Sequence, residues 1–274
     1  MAPIKRNTTD ISGMKTVILC GGYGTRIREV AEYLPKPMIP VGDAPILWHI
    51  MKYYAHYGHT DFVLCLGYKS EVIKNYFLNY GAKPTDLFVT IGGEIPPMER
   101  MKTDEDGWKI ALAETGLNAM TGARVKRIRE YIGNDENFML TYGDGVGDVD
   151  IEALVQFHLS HGKIATVTGV HPPGRFGELE YDAKTKQAEG FNEKPQVSGG
   201  RINGGFFVLN RAVFDYLSDD ESLVFEQQPI HQLVVDGQLQ VFEHDGFWQP
   251  MDTSREYNLL NEIYHNNTAP WVKW

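Results

Sequence analysis

Thr16-Val-Ile-Leu-Cys20 runs directly into Gly21-Gly22-Tyr23-Gly24-Thr25-Arg26. An apolar, β-branched run that ends in glycines predicts a buried strand leaving its sheet through a tight turn. The next segments keep the same grammar. Pro45 to Tyr57 places Ile46, Leu47, Ile50, Met51 and Tyr54 on one helical stripe, stopped by Gly58. Asp61–Leu66 reads as a second buried strand. Glu71 to Tyr80 reads as a helix with Val72, Ile73, Tyr76, Phe77 and Tyr80 on one side, and Leu87–Ile91 as a third strand. Trp108 to Glu114 alternates as an exposed or edge strand does, and Gly122 to Ile132 reads as a short helix.

Phe138-Met-Leu-Thr-Tyr142 repeats the opening pattern, a buried strand followed at once by Gly143-Asp144-Gly145. Asp150 to His161 is a capped helix and Ile164 to Val170 a strand. This β-α-β-α order predicts a parallel sheet covered on both faces by right-handed crossovers. Beyond residue 171 the pattern changes. Pro172, Pro173 and Gly174 break it, strands and turns dominate through Leu209, and helical patterns return at Leu223–Val235 and Thr253–His265. Ligands of open parallel sheets sit beyond the carboxyl ends of the strands. Both glycine-flanked loops, after Cys20 and after Tyr142, fall there.

The 274 residues suggest about two domains at ~150 residues each, or one α/β unit with an insertion. With 42% hydrophobic and 23% charged residues, disorder, collagen and coiled coil are excluded. The net charge of −10 argues against a nucleic-acid coat or a polybasic membrane anchor. It also requires that any polyanionic ligand meet a local basic site or a metal. Cys20 and Cys65 end apolar runs and read as buried free thiols, consistent with a reducing cytoplasm. No apolar run approaches the ~20 residues of a membrane span. Residues 1–13 have no apolar core of a signal peptide and read as an N-terminal extension.

Four motifs carry candidate chemistry. The glycines at 21, 22 and 24 can bring backbone N–H groups around a phosphate, with Arg26 and Lys36 supplying positive charge. The spacing fits neither a dinucleotide fingerprint, which has Ile27 where a glycine is needed, nor a P-loop. A plain strand-to-helix turn is the alternative. Asp144, flanked by glycines, is suited to hold Mg²⁺, or is a turn residue. Phe191-Asn-Glu-Lys-Pro195 offers Lys194 as a second phosphate ligand or a solvated loop lysine. Phe247-Trp-Gln-Pro-Met-Asp-Thr253 offers Asp252 as a partner of Asp144 on a metal or as a helix cap. Asp150 reads as a helix N-cap. His158 and His161 are three apart on a helix but lack a third ligand, so packing or surface roles are expected of them, as of His49, His56 and His59. Arg124, Lys126, Arg127 and Arg129 read mainly as a solvated basic face. No Gly-x-Ser-x-Gly elbow is present.

V-I-L-C-G-G-Y-G-T-R followed by P-K-P-M resembles the signature of the sugar-1-phosphate nucleotidylyltransferase family. P-I-L-W-H-I-M-K, M-T-G-A-R, T-Y-G-D-G-V, P-P-G-R-F-G, I-N-G-G-F-F-V-L-N and F-W-Q-P-M-D-T resemble its cytidylyl-transferring branch, and the likeness runs from Met14 to Trp274. Cys20, Tyr23 and Ala123 depart from the pattern. The resemblance implies a three-layer α/β/α Rossmann-like fold with a mixed, mostly parallel sheet and a substrate-side lobe. It implies one domain over residues 14–274, with residues 14–170 the nucleotide-binding half and 171–274 the sugar-phosphate half with a C-terminal helix.

The implied reaction moves CMP from CTP to α-D-glucose 1-phosphate. By the same resemblance, Leu19, Cys20, Gly21, Gly22, Tyr23, Gly24, Thr25 and Arg26 hold the nucleotide, with Lys36 on its phosphates and Thr121, Arg124 and Gly143 as further contacts. Asp144 and Asp252 match the Mg²⁺ ligands. Lys194 and Glu193 match positions near the sugar phosphate, and Glu178 and Asn203 would face the sugar. Arg26, Lys36, Asp144 and Lys194 are the implied catalytic residues. A cytoplasmic homo-oligomer with no nucleic-acid or membrane partner is implied as well. A sister enzyme using dTTP or UTP, and a nucleotide-sugar-binding module without turnover, are the alternatives. The attacking phosphate oxygen is already an anion, so no general base is needed, and positioning with charge neutralisation carries the reaction.

Overall fold

A computed structural model describes residues 13–24, 27, 33–82, 102–172, 178–181, 187–192 and 200–274. The N-terminal extension through residue 12 and the strand expected at Leu87–Ile91 lie outside the described residues.

The first strand, β1, is Thr16–Leu19, all four residues buried. The short pair β2 (Pro40–Val41) and β3 (Ala44–Pro45) leads into helix α1, Ile46–His56. Then come β4 (Asp61–Leu66), α2 (Ser70–Leu78), β5 (Lys109–Glu114), α3 (Thr121–Arg127), α4 (Arg129–Ile132), β6 (Asn137–Tyr142), β7 (Gly145–Gly147), α5 (Ile151–His161) and β8 (Ala165–Val170). The remaining elements are β9 (Glu178–Tyr181), β10 (Ala188–Asn192), β11 (Ile202–Asn210), α6 (Gln228–Val235), β12 (Leu239–His244), β13 (Trp248–Pro250) and α7 (Ser254–His265).

Seven strands form one sheet in the order β12-β8-β11-β6-β1-β4-β5. β1 pairs parallel with both β4 and β6, β4 with β5, and β8 with β12. β11 is the exception, antiparallel to both neighbours, β6 and β8. The architecture is therefore a mixed, mostly parallel α/β sheet, as expected. Two buried layers cover its faces. One gathers Ile18, Ile50, Met51, Leu154 and Leu260, from α1, α5 and α7 with the sheet; the other gathers Val17, Val125, Ile132, Phe214 and Leu233. Strands buried on both faces read as continuous apolar runs, which is why β1, β4 and β6 are plain in the sequence.

The caps follow local chemistry. The Asp150 carboxylate accepts the Ala153 N–H, and Gly162 ends α5 at φ 64°. β5 lies at an edge of the described sheet, as its alternation predicts. Three details differ from the sequence reading. The helix expected over Gly122–Ile132 is interrupted at Ile128, where ψ reaches 7° and the N–H turns to Val125 O, a 3₁₀ tightening. The helix expected from Leu223 starts only at Gln228, because the preceding backbone bonds elsewhere: Leu223 O accepts from Gly122 and Ala123. β12, unremarked in the sequence, joins the main sheet.

Chain order makes a switch point between β1 and β6. From β1 the chain moves to β4 on one side, and after β5 it returns to β6 on the other. A crevice opens where the connections diverge at the carboxyl ends of such strands. Gly143 N–H donates to Leu19 O at 3.0 Å across that crevice.

Candidate active site

The loops leaving β1 and β6 form the walls of a cavity of about 400 Å³. Leu19, Cys20, Gly21, Gly22, Tyr23, Gly24, Lys36, Thr121, Arg124, Gly143, Asp144 and Asp252 all line it. Thr25, Arg26, Glu193 and Lys194 lie outside the described residues. Glu178 opens β9, and its backbone alone is described.

Backbone constraints explain two of the glycines. A Cβ on Gly21 would stand 2.1 Å from Arg124 Nη1, and one on Gly143 would stand 2.8 Å from Leu19 O. The first contact corrects the reading of the basic cluster as a solvated face. Arg124 is only 5% exposed. Its guanidinium donates to Leu66 O (2.8 Å), Thr115 Oγ1 (2.9 Å), Gly21 O (3.0 Å) and Leu117 O (3.4 Å). A planar fork of donors can satisfy several carbonyls at once, and here it holds the glycine loop from below. Arg127 and Arg129 remain exposed. At the rim, Tyr23 Oη donates to Asn118 Oδ1 at 2.8 Å.

The opposite end of the cavity is charged. Lys36, in a one-turn 3₁₀ segment after Pro35, points its ammonium between two carboxylates: Asp144 Oδ2 at 2.6 Å and Asp252 Oδ1 at 2.5 Å. Burial pulls the Lys36 pKa down, but the two aspartates outweigh it and hold the lysine above its ordinary value. The aspartates are far apart in sequence. β7 and β13 bring them together by pairing Gly145 with Pro250 and Gly147 with Trp248, and Met251 N–H donates to Asp144 O at 2.8 Å. Asp252 is not the cap of α7. Thr253 is, in a capping box with Glu256, whose carboxylate also accepts the Asp252 N–H at 2.7 Å.

A second cavity, about 220 Å³, adjoins the first and is lined by Asn203, Gly204 and Trp248 among others. Both cavities share Tyr142, Asp144 and Asp252. Two ligands seated side by side would meet at the aspartate pair.

Sequence reasoning missed Glu226. Its carboxylate accepts from Thr121 Oγ1 at 2.6 Å and from Tyr142 Oη at 2.5 Å. It stands alone before a helix, and no local pattern marks it. Both cysteines are buried and free, and burial disfavours their thiolates: it raises Cys20 well above its ordinary pKa and pushes Cys65 up to about 12. His158 and His161 serve packing, both bonded to Thr166 Oγ1. Among the described residues no cluster of three or more His, Cys, Asp or Glu is placed to hold a metal.

A family model described as nucleotidyl transferase matches residues 15–257. The glucose-1-phosphate cytidylyltransferase of Salmonella typhimurium is 49% identical over 261 residues, covering 95% of this chain and all of that protein. The probable glucose-1-phosphate cytidylyltransferase of Bacillus subtilis is 44% identical over 262 residues, again 95% of this chain and all of the relative. Among solved structures, HddC from Yersinia pseudotuberculosis matches with a TM-score of 0.65 at 21% identity, over 92% of this chain and 99% of that one. That likeness is one of fold.

Proposed function

The chain belongs to the nucleotidyl transferase family, and from that membership we propose that it transfers CMP from CTP to α-D-glucose 1-phosphate. The products are CDP-glucose and pyrophosphate. The observation that carries this reading is the pair of cavities meeting at Asp144 and Asp252, taken with 49% identity to a glucose-1-phosphate cytidylyltransferase. A phosphate oxygen of the sugar phosphate, in the smaller cavity, attacks the α-phosphorus of CTP in the larger one. The bond from the α-phosphorus to the bridging oxygen breaks, and pyrophosphate leaves.

The residues present fit a divalent cation. Two carboxylates converge on one ammonium, which leaves one net negative charge at that point. Mg²⁺ is commonly held by one or two carboxylates with substrate phosphates completing its shell, and Asp144 and Asp252 would hold it here. Bound there, Mg²⁺ would neutralise charge on the triphosphate. Lys36 lies where it can shift from the aspartates to the nucleotide phosphates. Arg124 holds the Gly21 carbonyl, and with it the backbone of the glycine loop that would contact the nucleotide. Arg26 on the leaving pyrophosphate, Lys194 and Glu193 at the incoming phosphate, and Glu178 and Asn203 at the sugar complete the reading. Arg26, Lys36, Arg124 and Lys194 would then provide the local positive field that the acidic chain needs.

Residues 14–274 act as one domain in this reading. Self-association belongs to it too, supported by the exposed Val234 and Val235 on α6 and Val241 on the edge strand β12. No described helix is long and apolar enough to cross a membrane, and the buried free cysteines fit a cytoplasmic setting. Pyrophosphate release tests the reaction. CTP plus glucose 1-phosphate with Mg²⁺ should give the fastest release among the four nucleotides and common sugar 1-phosphates. Faster turnover with UTP or dTTP would move the assignment to a sister reaction, and nucleotide binding without release from any pair would leave a binding module.

A further inference from the structure

The reaction as read above uses Asp144 and Asp252 and leaves Glu226 without a part. Glu226 is half-buried and bonded to Thr121, which lines the larger cavity, and to Tyr142, which lines both. Each hydroxyl it meets has one proton. Thr121 Oγ1 gives its proton to Glu226 Oε2 at 2.6 Å and accepts the Phe225 N–H at 2.9 Å. Tyr142 Oη gives its proton to Glu226 Oε1 and accepts from Asn203 Nδ2 at 3.0 Å. Asn203 Oδ1 in turn accepts the Gly205 N–H at 2.8 Å, which fixes the amide's orientation. Burial and the Glu226 charge push the Tyr142 pKa well up, so the phenol keeps its proton.

Thr121 lines the nucleotide cavity, and the proton count leaves its hydroxyl with a lone pair and no proton to offer a ligand there. That cavity is charged at the Lys36–Asp144–Asp252 end and apolar at the Leu117, Ala119 and Met120 end. An acceptor oxygen repels phosphate, so its partner is a donor on the nucleoside. We propose that Glu226 is a positioning residue that makes Thr121 an acceptor-only contact, so that the site selects nucleotides carrying a hydrogen-bond donor there. The donor is the exocyclic amine of the base or a ribose hydroxyl. The proposal rests on the nucleotidyl-transfer reading of the cavity and adds its source of selectivity. A ligand acceptor set against this oxygen leaves both unpaired, a mismatch of about 10–100-fold in affinity.

Two variants test it. Glu226→Gln introduces an amide that must donate to one hydroxyl oxygen, which frees that hydroxyl's proton. Thr121→Val removes the acceptor and nearly keeps the shape. kcat/KM and calorimetric binding are compared for CTP, UTP and dCTP. If the donor is the amine, the preference for CTP over UTP falls about 10–100-fold in Thr121→Val and, with the new amide turned to Thr121, in Glu226→Gln. If it is the 2′-hydroxyl, the preference for CTP over dCTP falls instead. The double variant should lose no more than the larger single loss, and Thr121→Ser, which keeps the hydroxyl, should retain the preference. Should Glu226→Gln fail to fold, Thr121→Val against Thr121→Ser decides. The proposal is overturned if the wild type shows neither preference, or if folded variants keep both. Failure of the reaction itself would show differently, as wild-type binding preferences without pyrophosphate release.

Discussion

At the scale of single residues, the site is organised by charge pairs that only partly cancel. Lys36 meets two aspartates, and two anions against one cation leave one net negative charge, on which the proposed Mg²⁺ reading rests. Asp252→Asn should keep the fold, since the Lys36 contact to Asp144 remains, yet lower Mg²⁺-dependent pyrophosphate release by about 10²–10³. Full activity in that variant would remove Asp252 from the proposed Mg²⁺ site. Gly21→Ala tests the Arg124 scaffold. Its Cβ would collide with a guanidinium that four hydrogen bonds hold in place. Overpacking of this kind costs about 1–3 kcal/mol, so the thermal midpoint should drop and the nucleotide KM rise together. An unchanged midpoint would mean that Arg124 moves freely.

At the scale of elements, a helix cap doubles as a clamp on the site. Glu256 accepts both the Asp252 and Thr253 N–H groups, so the start of α7 holds the second aspartate's backbone. Glu256→Ala should cost about 1 kcal/mol of stability by loss of the cap. It should also raise the Mg²⁺ concentration needed for half-maximal activity, which a magnesium titration reads separately from thermal unfolding. A stability loss without the Mg²⁺ shift would leave Glu256 as a cap only. Helices were also where local pattern misled. The periodicity from Leu223 is genuine, but Leu223 O and Phe225 N are used to tie down the start of α3. Hydrogen bonds to a distant segment outweigh helix propensity, which is worth only tenths of a kcal/mol per residue.

At the scale of the whole molecule, buried histidines make the fold acid-sensitive. His49 is fully buried, with Nε2 donating to Val41 O and Nδ1 accepting from Trp271, so both nitrogens are committed to the neutral ring. Burial lowers its pKa. His158 is lowered by burial and by His161 to about 4. Below the unfolded value of ~6.5 the unfolded chain binds more protons than the folded one, so stability falls as pH drops from 6.5 toward 4. His158 alone should contribute a loss of about 2 kcal/mol by pH 5. Urea midpoints at pH 7 and pH 5 should show it, with a shallower pH dependence in His158→Gln. Equal slopes in the two proteins would mean that His158 takes up its proton as readily in the folded chain as in the unfolded one.

The strand β1, the glycine loop, the capped helix α5 and Asp144 at the end of β6 were all legible in the sequence. Each depends on residues a few positions apart, and periodicity, caps and turns are local physics. Membership of the nucleotidyl transferase family was legible for the same reason, in motifs that are short and contiguous. The resemblance already grouped Asp144 with Asp252 and Arg124 with the glycine loop; what only the tertiary structure decided is how these distant residues meet. The pairing of β7 with β13 puts Asp252 beside Asp144. Arg124 turns inward because three carbonyls and a hydroxyl converge around it. Glu226 acquires a part only because Thr121 and Tyr142, from separate elements, both point their protons at it. Such contacts depend on register and burial between segments that share no local pattern, and no reading of neighbours along the chain contains them.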